Sequence, residues 1–111
     1  MVGSGNTDAR FACNINGFSL AERSEHRTLA ARVAQAVLRA NELPDGYAFT
    51  LDTSRISTID IVAWLALERR CCPFFDIGFE WRRNEGPLVL SLRGREGVKD
   101  FIRDEFPDNF R

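Results

Sequence analysis

The chain has 111 residues, 44% of them hydrophobic and 28% charged, with 15 basic against 16 acidic side chains. That length suits one domain with one core, and so even a charge balance excludes the basic surface on which nucleic acid or an acidic membrane is held. No apolar run is long enough to cross a bilayer, and the polar start Met1–Asp8 is no signal peptide, so the expectation is a cytoplasmic protein with reduced thiols and with no nucleic-acid or membrane partner.

Residues 1–8 read as a flexible leader and residues 9–111 as a single α+β domain. Arg10-Phe11-Ala12-Cys13-Asn14-Ile15 alternates, which predicts a short strand with Phe11, Cys13 and Ile15 on its core face. Asn16-Gly17 breaks it. Ser19-Leu20-Ala21-Glu22 is a capping box, in which Ser19 and Glu22 each satisfy a backbone donor of the other. The helix that follows is expected to reach Asn41, with Leu29, Val33, Val37 and Ala40 as its buried stripe. His26 lies on this helix between Glu25 and Arg27 and reads as solvated. Leu43-Pro44-Asp45-Gly46 stops the helix.

Tyr47, Phe49 and Leu51 alternate as a second strand. Ser57 caps a second helix, over Thr58 to Cys72, that is apolar on most sides and so is expected to pack on more than one flank. Pro73 ends it. Phe75, Ile77, Phe79 and Trp81 then alternate, Asn84-Glu85-Gly86-Pro87 supplies a turn, and Leu88, Leu90 and Leu92 return as a hairpin. A last helix from about Glu96 buries Val98, Phe101, Ile102 and Phe106. The backbone donors of Gly94-Arg95-Glu96-Gly97 could face an anion, but a plain helix start explains them as well. The order strand, helix, strand, helix, strand, strand, helix implies an α+β two-layer sandwich: a mainly antiparallel four-stranded sheet with three helices. One core should hold Phe49, Leu51, Ile61, Leu65, Ile77, Phe79, Leu90, Phe101 and Ile102. Trp81, Phe106 and Phe110 are more apolar surface than a short chain covers, which predicts a homodimer.

The chemical clue is Glu68-Arg69-Arg70-Cys71-Cys72-Pro73. At 100° per residue Cys72 aligns with Ile61 and Leu65, Cys71 flanks it with Trp64, and Glu68 falls inside the apolar arc, one turn from both thiols. A buried carboxylate needs a partner, and an arginine is the expected one. Adjacent helical cysteines diverge and rarely both suit one core, although inert packing remains the bland account of them. Zinc is disfavoured by the absence of Cys-x-x-Cys and by the single histidine. A site of two or three thiolates fits a soft metal or metalloid ion. Its ligands would be Cys71 and Cys72, with Cys13 as the third, and Glu68, Arg69 and Arg70 would stand behind them. Because the C-terminal end of a helix disfavours thiolate, the two arginines would have to offset that field. Thiol redox or covalent trapping by the same cysteines is the first alternative, and a non-catalytic dimeric interaction module is the second. No nucleophile–base pair marks an enzyme.

At Glu68-Arg69-Arg70-Cys71-Cys72-Pro73-Phe74 the chain resembles a small uncharacterised bacterial family with a Glu-Arg-x-Cys-Cys-x-Phe signature. The likeness extends to Ala12-Cys13, to Glu42-Leu43-Pro44-Asp45-Gly46-Tyr47 and to the stretch Leu92–Phe101. Such proteins sometimes accompany mercury- or other metal-responsive genes. The resemblance therefore implies a thiol role for Cys13, Cys71 and Cys72 and no particular activity.

Overall fold

The computed structural model describes residues 16–110. The expected leader and the expected strand over residues 10–15, with Cys13, lie outside them. The described chain is α+β, with three helices and a four-stranded antiparallel sheet. The elements are α1 (Leu20–Ala36), β1 (Val37–Leu43), β2 (Gly46–Leu51), α2 (Thr58–Cys71), β3 (Asp76–Trp81), β4 (Leu88–Arg93) and α3 (Val98–Glu105), followed by a single 3-10 turn, Pro107–Phe110. The strand order is β1-β2-β4-β3.

Helix α1 begins as expected, with both halves of the Ser19–Glu22 capping box formed. It ends at Ala36 and not at Asn41. The residues Val37–Leu43 form the edge strand β1 instead, closing on β2 through Pro44-Asp45 with Leu43 opposite Gly46. Ala40, Leu38 and Arg39 are good helix formers, but a weak local preference yields to a ladder of cross-strand bonds. The register shifts between Val37 and Arg39, and Leu38 is left exposed there.

Strands β2 and β4 form the centre of the sheet. Their register sets Tyr47, Phe49 and Leu51 opposite Leu92, Leu90 and Leu88, all six buried on one face. Val33 of α1, Trp64 of α2 and Phe106 at the end of α3 meet Phe49, Leu90 and Leu92, so the helices share that face. Ser57 caps α2 by accepting from Asp60 N–H. Ile61, Trp64, Leu65, Leu67, Glu68 and Cys71 of α2 are buried, whereas Ile59 is exposed despite its place in the apolar run.

Two expectations about aromatic residues are corrected. Phe79, expected in the core, is 46% exposed, because β3 is an edge strand with no neighbour on its outer side among the described residues. Phe106 is buried, as the pattern of the last helix predicts and against its place among the surplus surface, and Phe110 packs edge-on against Tyr47 at 4.7 Å. The 3-10 turn folds these rings back over the sheet. Trp81 alone of the three remains outside, 53% exposed.

Candidate functional site

Glu68 is 1% exposed, and its partner is a histidine, not an arginine. The Nε2 of His26 lies 2.8 Å from Glu68 Oε1, with the imidazole edge-on to Phe18. The expectation of a solvated His26 is thus corrected. It stands one turn before Leu29 and two before Val33, on the buried side of α1, where it faces α2. Arg70 is committed elsewhere: it donates to Glu22 Oε2 at 2.7 Å and to the Gly17 carbonyl, and lies 4.6 Å over the Phe18 ring. Arg69 is exposed.

A second carboxyl joins this group from α3. Ligating atoms of Glu68, Cys72 and Glu105 all lie within 4.8 Å of one another. Glu68 Oε2 and Glu105 Oε1 are both inaccessible to water, and neither meets a fixed donor among the described residues. Burial, and then the facing Glu68 carboxylate, push the Glu105 carboxyl up to about 9. Burial, and then the neighbouring Glu68 and Glu105 carboxyls, push the Cys72 thiol far up as well. Both groups therefore keep their protons at neutral pH, and both face Glu68. Glu68 is thus fixed on one oxygen by His26, and the Cys72 and Glu105 side chains stand close by.

The arrangement opens on a cleft of about 160 Å³ bounded by α1, α2 and Glu105-Phe106. Ala30, Ala31 and Ala34 line it on the α1 side and, being small, leave the space unfilled. Trp64 lines it as well, and its indole N–H is buried with no acceptor among the described residues.

The cysteines divide. Cys71 is disulfide-bonded, whereas Cys72 is in no disulfide. Both are fully buried. The expectation that every thiol is reduced is corrected on this point. Of the proposed thiol ligands, Cys72 alone stands in the Glu68–Glu105 group, and Cys13 lies outside the described residues. The sequence reading found Glu68 and Cys72 and missed His26 and Glu105. A signal for both was present. Glu105 follows Phe101 by four residues and precedes Phe106, so it too is a carboxylate beside an apolar stripe, and His26 holds the same relation to Leu29 and Val33.

In comparison with known proteins, the chain matches no protein-family model, no curated protein and no solved structure. Its chemistry has to be argued from the site. Among the described residues no helix is long and apolar enough to cross a membrane.

Proposed function

We propose that this protein binds a single divalent metal ion through Glu68, Cys72 and Glu105, with His26 orienting Glu68. The observation that carries this reading is the buried Glu68 Oε2, which faces two other donor groups and finds no fixed hydrogen-bond partner. Burying a carboxylate next to a second carboxyl costs stability unless a cation or proton neutralises the pair. A metal ion displaces the protons of Glu105 and Cys72 and turns a repulsive cluster into a ligand set. Two oxygens and one sulfur suit a borderline ion such as zinc, or cadmium in its place. A tetrahedral zinc ion holds its ligand atoms roughly 3–4 Å apart, so the three groups need only a small contraction. The fourth position is left for water from the cleft. His26 supports this role by fixing one oxygen of Glu68, since hydrogen bonds to ligand side chains commonly set their orientation.

Titration of the non-reduced protein with zinc or cadmium tests the reading. One ion per chain is expected, with the ultraviolet charge-transfer band of a cadmium thiolate. Cys72→Ser and Glu105→Gln should each weaken binding at least about tenfold, given the 10- to 100-fold lost when even supporting groups are removed. The exposed Glu25→Gln should not. Absence of binding, or binding indifferent to both variants, refutes the proposal.

A second reading is favoured by the adjacency of two fully buried sulfurs, Cys71 and Cys72. Once the Cys71 disulfide is reduced, Cys71, Cys72 and Cys13 are three thiols available to a soft ion, and arsenite or mercuric ion should then consume them. The signature shared with proteins that sometimes accompany metal-responsive genes points the same way. The proposal also takes the chain to be cytoplasmic and homodimeric. In the cytoplasm the disulfide is open to reduction, so both oxidation states belong in the titration.

A further inference from the structure

Strand β3 is one edge of the sheet, and among the described residues nothing pairs with its outer side. The direction of its backbone groups follows from the ladder. Arg82 N–H donates to the Pro87 carbonyl at 3.1 Å, so position 82 bonds towards β4. Alternate residues do the same, and Ile77, Phe79 and Trp81 turn their N–H and C=O groups to the open side. The neighbouring ladder agrees. Gly94 N–H donates to the Asp45 carbonyl at 2.9 Å, which in the β2–β4 register makes Phe49 and Leu90 the bonded pair. Leu90 therefore has no backbone groups left for Phe79, its neighbour on the other side.

The side chains along this edge are as unprotected as the backbone. Phe79 and Trp81 belong to the apolar face by register, yet they are 46% and 53% exposed, with ring centroids 5.8 Å apart. Solitary proteins guard such an edge with lysine, proline or a bulge. The stretch Asp76–Trp81 contains no lysine or proline, and its register with β4 does not shift.

We propose that β3 pairs antiparallel with β3 of a second copy of this chain, across a two-fold axis at Phe79, to join two four-stranded sheets into one. The sequence of the strand selects both the occupant and the register. With the axis at Gly78, Asp76 would face the partner's Glu80. With the axis at Glu80, that carboxylate would face its own copy. Only the axis at Phe79 spans the whole strand with compatible pairs. It sets Asp76 against the partner's Arg82, Ile77 against the partner's Trp81 and Phe79 against the partner's Phe79. In that register the outward groups of 77, 79 and 81 form bonded pairs, each exchanging two N–H···O bonds. Asp76 forms no ion pair within the described chain, while Arg82 is joined only to Glu80, at 3.2 Å and with both ends more than half exposed. Charge, apolar pairing and backbone direction agree on one arrangement. It rests on neither the metal site nor the cysteines.

Sedimentation velocity on the full chain is the test, with a melting curve for each variant to show that it is folded. The parent should sediment at twice the 12.6 kDa chain mass. Asp76→Arg alone puts like charges opposite each other at both ends of the ladder, and so does Arg82→Asp. Each should weaken the dimer roughly tenfold or more, since two cross-strand pairs turn from attractive to repulsive. The double variant, Asp76→Arg with Arg82→Asp, restores opposite charges and should recover the dimer. A parent that is monomeric at every concentration overturns the proposal. A dimer indifferent to the single changes, or not rescued by the double one, overturns it too and leaves a different surface as the interface.

Discussion

At the scale of single residues, the protein is governed by where it hides charge. His26 and Glu68 form one buried contact, and Glu105 and Cys72 complete a group in which protons stand where a cation would. This has a consequence for stability. The Glu105 carboxyl, pushed up to about 9, is protonated in the folded chain at neutral pH, whereas unfolding returns it to its ordinary value of 4.5 and ionises it. Between those values the folded state holds the extra proton, so the metal-free protein loses stability as pH rises. The contribution is complete below the unfolded value and gone once pH has passed through about 9. Glu105→Gln keeps the shape and has no proton to lose. Urea midpoints across this range should fall for the parent and stay flatter for the variant. Equal slopes would mean that Glu105 ionises freely where it sits.

At the scale of elements, the fold depends on close approach as much as on burial. Gly46 opens β2 immediately after the Pro44-Asp45 turn and lies opposite Arg93 at the end of β4. A Cβ at this position would overlap the Leu92 carbonyl and crowd the Arg93 Cα. These are backbone atoms held in a ladder, so they cannot swing away. Gly46→Ala should cost about 3 kcal/mol, the upper end of what forced overlap costs in well-packed sites. The same change at Gly17, where an added Cβ meets nothing within 4 Å, should cost far less. Chemical denaturation of the two variants side by side checks the difference. The α1–β1 junction teaches a related lesson. Residues that would extend a helix become a strand because β2 offers a partner along the whole stretch.

At the scale of the molecule, three helices cover one face of a sheet and leave Phe79 and Trp81 of edge strand β3 about half exposed. The candidate metal site sits where α1, α2 and the end of α3 converge, on the helical side, so its ligands come from elements far apart in sequence. An ion held there ties the three helices together. At a hundredfold excess over its dissociation constant, zinc should add about 2.7 kcal/mol to folding stability and raise the melting temperature by roughly 10 °C in a domain of this size. Cys72→Ser should abolish the shift. A zinc-induced shift of equal size in that variant would mean that the ion binds elsewhere.

By itself, the sequence determined the class of fold, the Ser19 and Ser57 caps, the central strands and the burial of Glu68 beside two cysteines. Each of these is written in local periodicity or in a capping pattern a few residues long, which a single segment can carry. Only the tertiary structure decided that Val37–Leu43 is a strand, that Phe79 stays outside, and that His26 and Glu105 meet Glu68. Strand pairing and the convergence of α1, α2 and α3 join residues as much as 79 positions apart. The side of a helix that a residue occupies can be read along the chain, but the neighbour it faces is fixed only when the layers close.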